Sequence, residues 1–252
     1  MPHPELLFFF LTIAFIYASV GFGGGSSYLA ILALYAVPRY EMKLTALVCN
    51  IIVVTGGTFL FIRRRELQFS KVLPIAIASV PMSFIGARLH VSQATFFVLL
   101  GTCLIMAGIF LWLQPSKTDV PLKDHDTKPN YLRDALLGGS IGLLSGMVSI
   151  GGGIFLAPVL NLLHWDTPKK IAATASFFIL INSIAGLAGQ LSSLQTSVDT
   201  TRIALLAIAV LAGGQLGSRL GIAKLSPALI RRLTAVLVFA AGIEVLYKQL
   251  AT

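Results

Sequence analysis

Eight apolar segments alternate with short polar stretches along the chain. They cover approximately 4–37, 41–62, 70–89 and 93–114, then 131–164, 168–191, 201–222 and 227–249. Most are long enough to span the roughly 30 Å hydrocarbon core of a bilayer as helices, so the pattern predicts an all-α polytopic membrane protein. The first segment of each four is interrupted. Gly23-Gly24-Gly25 breaks one and Gly151-Gly152-Gly153 breaks the other, 128 residues later. Three successive glycines open a helix, and opened backbone at membrane depth leaves polar groups to be satisfied inside protein or along a cavity.

Between the two sets of four lies a polar stretch, 115–130, with both charge signs and three prolines. It divides the chain into an N-terminal repeat over 1–114 and a C-terminal repeat over 131–252. The halves match in order. Asn50 lies opposite Ser176, an offset of 126, and Gly86-Ala87-Arg88-Leu89 lies opposite Gly217-Ser218-Arg219-Leu220, an offset of 131.

Composition agrees with the pattern. Residues are 56% hydrophobic and 12% charged, against roughly 25% charged in soluble domains. The 6–20 run has no cation before it and no convincing cleavage site, and is expected to remain in the mature chain. The net charge of +9 is scattered between spans, which suits anionic lipid headgroups and the positive-inside rule rather than nucleic acid. Four crossings per half divide the cations evenly. If each broken segment enters and returns, one side collects Arg63, Arg64, Arg65, Lys71, Lys117, Lys123, Lys128, Arg133, Lys169, Lys170, Arg219, Lys224, Arg231 and Arg232. That is 14 of the 19 Lys and Arg residues. The expectation is two inverted-topology repeats, each a glycine-broken helix pair followed by three transmembrane helices. The linker is then cytoplasmic and both termini lie outside. Length alone leaves open whether the broken segments re-enter or cross fully.

Helices restarting after Gly25 and Gly153 would present unpaired N–H groups and positive dipole ends to the interior. Two such ends, approaching from opposite faces, can hold a small oxyanion. Ser26 and Ser27 add hydroxyls to the first half only; the second offers Ile154 and Phe155. Asn50 and Ser176 can complete the anion's hydrogen bonds or bond across helices, with Thr174 and Asn182 weaker candidates. Arg88 and Arg219 carry forked donors suited to sulfonate or carboxylate, yet sit near span ends where cations extend to the headgroups. The competing reading of the glycines is close helix packing. Cys49 and Cys103 read as core residues. The four histidines show no metal spacing, and no nucleotide-binding context surrounds GFGGGS. The expected protein is neither an enzyme nor a cofactor or metal binder.

GFGGGSS (Gly21 to Ser27), SIGGGIFLAP (Ser149 to Pro158) and the paired GARL and GSRL resemble the sulfite exporter TauE/SafE family of membrane transporters over essentially the whole chain. LVCN at Leu47 to Asn50 stands where a Thr-Ser or Thr-Asn pair is more usual. The resemblance implies a permease of the cytoplasmic membrane for sulfite, a sulfonate or a related organosulfur anion. Carboxylates or other organic anions are the alternative, and a non-transporting membrane scaffold is the rival of a different class. Outward movement follows the potential of a negative interior. The partners implied are the small anion and membrane lipids; a homo-oligomer is left open.

Overall fold

The computed structural model describes residues 3–19, 23–89, 91–113, 131–163, 165–192, 198–220 and 227–250. Among them run ten α-helices: α1 (Glu5–Ala18), α2 (Gly25–Leu34), α3 (Arg39–Arg63), α4 (Phe69–Arg88), α5 (Gln93–Leu113), α6 (Tyr131–Val148), α7 (Gly153–Leu162), α8 (Pro168–Ser192), α9 (Thr200–Leu220) and α10 (Pro227–Leu250). Five are long and apolar enough to cross a membrane: α3, α4, α5, α8 from Lys169 and α9 to Ser218. The protein is an all-helical, multi-pass membrane protein. Residues 115–130 lie outside the described residues.

Helix ends follow local chemistry. Pro38, in extended conformation, precedes α3, and Glu41 in its first turn complements the dipole. Asp166-Thr167-Pro168 opens α8: Asp166 Oδ1 accepts the Thr167 N–H at 2.8 Å, and proline at the first helical position has no N–H to orphan. α7 runs on through Pro158.

Packing pairs repeat when α1–α5 are exchanged for α6–α10. α4 packs on α6 as α9 packs on α1; α4 packs on α8 as α9 packs on α3; α2 lies on α3 as α7 lies on α8. α3 with α8, and α5 with α10, pair with their own counterparts. Glycines spaced by four set the closest seams, since no side chain holds the backbones apart. Gly138 and Gly146 of α6 lie against the Ile75 and Ser83 carbonyls of α4; Gly213 and Gly217 of α9 lie against those of Leu11 and Phe15 of α1. Gly86, opposite Gly217 in the sequence, meets the Leu143 carbonyl. The paired GARL and GSRL glycines are therefore packing positions.

Residue pairings also give direction. α4 and α6 run parallel, as do α1 and α9. α4 and α8 are parallel too, linked by Asn182 Nδ2 donating to Ser79 Oγ (3.1 Å) and Gln190 Nε2 donating to the Ala87 carbonyl (2.8 Å). The counterparts α3 and α8 run antiparallel: Thr58 meets Ser176 at 3.0 Å near one end, and Leu47 meets Gly186 toward the other. α5 and α10 are antiparallel as well, Gly101 beside Leu246 and Gly108 beside Phe239.

At the end where α4 and α8 begin, Asp166 accepts from Lys71 (2.9 Å) and pairs with Lys170 (3.3 Å). The exchanged position holds Glu41 and Arg202, 2.8 Å apart, where α3 and α9 begin. Burial alone would raise the Asp166 carboxyl, but hydrogen bonds from Lys71 and the Thr167 N–H, with the nearby lysine charges, hold it below its ordinary value. A lowered folded value gives stability that is complete above the ordinary range near about 4 and is lost as pH falls through the folded value. Thermal melting in detergent should therefore show an acid-side loss in the wild type. Asp166→Asn should start less stable at neutral pH and lack that loss.

Candidate anion site at the glycine breaks

The two breaks meet. α2 starts at Gly25 beside Asn50, the twelfth residue of the 25-residue α3; α7 starts at Gly153 beside Ile179, the twelfth of the 25-residue α8. Each ten-residue helix then returns to within six residues of the start of its long partner. Ten residues rise about 15 Å, matching the half of α3 or α8 alongside. α6 runs parallel to α4 along most of its length, Gly138 beside Ile75 and Met147 beside Gly86, and from the break at mid-length of α8 the short α7 leads back toward the end where α8 begins.

Asn50 is fully buried and ties the halves together: its Nδ2 donates to the Ile150 carbonyl at 2.9 Å. The bond fixes the amide, so Oδ1 faces the first break. A methyl carbon at Gly23 would lie 2.7 Å from Oδ1, 3.1 Å from Val54 and 3.2 Å from Ile179. At Gly151 it would lie 2.9 Å from Asn50 Nδ2, 2.9 Å from Ile179 and 3.0 Å from Ser183 Oγ. The two environments interconvert when Asn50 exchanges with Ile179 and Val54 with Ser183, both offsets of 129. A methyl at Gly25 would strike Asn50 Nδ2 and stand 2.6 Å from the Ile150 carbonyl oxygen; at Gly153 it would strike Ile179. Gly151 and Gly152 have φ of +86° and +79°, left-handed backbone open to glycine at no steric cost. At Gly24, where φ is −92°, close contact with Ile13 and Tyr28 excludes a side chain.

Four buried polar atoms around these breaks have no hydrogen-bond partner: Asn50 Oδ1, Ser183 Oγ, Tyr28 OH packed against Gly24, and Ser145 Oγ packed against Gly152. Buried polar groups are ordinarily paired, and an unmade bond costs about 1–3 kcal/mol. Positive helix ends, left-handed backbone and unpaired polar atoms thus coincide at one place. Such a set can receive a small anion, given widening of contacts that now exclude even a methyl group.

Gly23, Gly24, Gly25, Asn50, Gly151, Gly152 and Gly153 all belong to this junction. Ser26 and Ser27 are buried in the first turn of α2, where Ser27 Oγ and Tyr17 OH are 2.8 Å apart. The expected match of Asn50 to Ser176 is corrected: Ile179 holds the place equivalent to Asn50, and Ser176, bonded to Thr58, has Leu47 as its counterpart. Ser176 bridges helices away from the breaks. Asn182 faces α4, and Thr174 is buried in α8. Arg88 ends α4, exposed and 5.6 Å over the Phe84 ring, outside the junction. Arg219 is in the last turn of α9, with its side chain outside the described residues. Ser145 and Ser183 were missed; a strict offset of 128 or 129 from the first half places Ser183 opposite Val54 or Thr55, which drew no attention.

Residues 6–245 match the sequence profile of the family described as Sulfite exporter TauE/SafE. The chain is 32% identical over 238 residues to "Probable membrane transporter protein y4hK" of Sinorhizobium fredii, covering 94% of this chain and 96% of that one. It is 26% identical over 219 residues to "Probable membrane transporter protein YunE" of Bacillus subtilis, covering 79% and 78%. No solved structure matches. With the profile spanning nearly its whole length, the chain belongs to the sulfite exporter TauE/SafE family and is a membrane transporter, not an enzyme.

Proposed function

We propose that the protein is an inverted-repeat permease that carries a small sulfur-containing oxyanion outward across the cytoplasmic membrane, held where α2 and α7 begin. One observation carries this reading: two glycine breaks from different halves meet at mid-length of the long helices, beside the unpaired Asn50 Oδ1, Ser145 Oγ and Ser183 Oγ. Inversion is supported by the antiparallel counterparts α3 with α8 and α5 with α10, and by the 14 cations on one side. A re-entrant α1–α2 and α6–α7 supply the reversal that the charge distribution requires.

The junction favours a particular kind of anion. The two serine hydroxyls can donate to an oxyanion, whereas Asn50 Oδ1 only accepts. An anion that keeps one proton, such as hydrogen sulfite, satisfies both. Carboxylates share the charge but at neutral pH bring no proton to that acceptor.

Reconstituted vesicles test the reading. Sulfite efflux should be saturable, with acetate a weaker competitor than sulfite; equal competition favours the organic-anion alternative, and a scaffold moves nothing. Cysteines placed in the linker and at the C-terminus should label from opposite sides of the membrane. Labelling from one side contradicts the inversion.

A further inference from the structure

Five cations fall on the side that the charge distribution assigns to the exterior: Arg39, Lys43, Arg88, Arg202 and Lys248. Positive charge is disfavoured there, yet three of the five gather at one place. Arg39, Lys43 and Arg88 line a cleft with Tyr40, Ala87 and Gln190, where α3 begins and α4 and α8 end. Its interior space is about 10 Å³, room for about one water, it opens to solvent, and among the described residues no acidic side chain lines it. Arg202, in contrast, is paired with Glu41.

Lys43 is the least ordinary of the three. Its residue is 4% exposed, and no carboxylate pairs with it among the described residues. Its Nζ stands 5.0 Å from the centre of the Phe96 ring, whose face partly compensates an ammonium. A buried charge without a counter-ion is costly, and an anion entering the cleft would offset that cost. Arg39 is held in place by donating through Nη1 to the Val91 carbonyl at 2.6 Å. Arg88 complements the carbonyl end of α4 while keeping its exposed guanidinium at the cleft.

The cleft lies on the seam that leads to the glycine junction. Along α3, Lys43, Leu47 and Asn50 are spaced by four and three residues, one helical stripe. Along α8, Gln190, Gly186 and Ser183 form the matching stripe. Leu47 lies over Gly186, where a methyl carbon would be 3.4 Å from it. Lys43 is thus two turns, about 10 Å along the axis, from Asn50. The positions equivalent to Arg39 and Lys43 in the other half, at an offset of 129, are Pro168 and Ala172, and only Arg88, opposite Arg219, has a cationic counterpart, so the cluster of three is a one-sided feature.

We propose that Arg39, Lys43 and Arg88 form a second oxyanion site, an outer vestibule from which anion exchanges with the glycine junction past Leu47. As a station on a transport path it rests on the permease reading; as a binding site it does not.

Equilibrium binding of radiolabelled sulfite to the full chain in detergent tests it, with sulfate and a short-chain phosphatidylglycerol as competitors. Lys43→Gln should raise half-saturation about tenfold or more, as expected for loss of a charge-assisted hydrogen bond. Lys43→Arg keeps the charge and should remain closer to wild type. Arg64→Gln, exposed at the opposite end of the bundle, removes the same charge and should change nothing. If Lys43→Gln does not fold, Arg88→Gln, on an exposed side chain, must weaken binding instead. The site is overturned if Lys43→Gln and Arg88→Gln bind as wild type, if Arg64→Gln shifts binding equally, or if wild type binds no sulfite. Displacement by phosphatidylglycerol at lower concentration than sulfate would make the cleft a lipid-headgroup site and end its path role. Vesicle flux separates the two readings. A chain that binds in this pattern but moves no anion keeps the cleft and loses the permease. One that moves sulfite with unchanged half-saturation in Lys43→Gln does the reverse.

Discussion

Gly25→Ala should cut anion flux more than tenfold and lower the melting temperature, while Gly56→Ala should do neither. At Gly25 the new methyl would strike Asn50 Nδ2 and stand 2.6 Å from the Ile150 carbonyl oxygen. That carbonyl is backbone and cannot rotate away, so the two breaks must separate and the Asn50–Ile150 bond must stretch or part. Overpacking costs typically about 1–3 kcal/mol and a lost hydrogen bond about 1 more, so a loss of roughly 2–4 kcal/mol is expected. Gly56, an exposed residue of α3, has nothing within 4 Å of the added methyl. Alanine there gains helix propensity, about 0.5–1 kcal/mol. Melting in detergent and flux in vesicles read both variants. Equal behaviour of the pair would mean that the close meeting of the breaks has no role.

Asn50 carries the second large effect. Asn50→Leu leaves the Ile150 carbonyl buried without its partner, a cost of about 1–3 kcal/mol, and removes the acceptor facing the first break. Flux should fall by more than an order of magnitude. Asn50→Asp should be worse, because a carboxylate would face both that carbonyl and the incoming anion. Ser183→Ala provides the contrast. Its hydroxyl is buried and unpaired, so deleting it should leave stability unchanged or improved, yet raise the half-saturation for sulfite. A residue present only for packing would move stability first.

Much of this fold was legible in the sequence because glycine and charge report on it directly. The triple glycines gave the two broken pairs, while the reversal expected from the cations belongs to the proposed reading. Register was harder to see. Asn50 was matched to Ser176 because both are polar within apolar runs, whereas the structure aligns Asn50 with Ile179. α8 touches α3, α4, α6 and α7, so it is apolar nearly all round and its periodicity marks no single face. Ser183 was hidden for the same reason. Its signal was its distance from the second glycine break, not its surroundings in the chain. The seams of α6 and α9 were visible as glycines spaced by four, but the partners they meet depend on topology. Arg88 illustrates the reverse case: as an anion ligand at the breaks it has no support, yet it lies beside Lys43 in a cleft that only the assembled helices create.

The most direct test of the junction is the concentration dependence of sulfite efflux from vesicles containing Asn50→Leu, alongside wild type and with melting temperatures recorded for both. The junction predicts a folded variant whose half-saturation rises at least about tenfold, the equivalent of one strong hydrogen bond, or whose saturable flux is lost. A folded Asn50→Leu protein that moves sulfite with the wild-type half-saturation and maximal rate would contradict it.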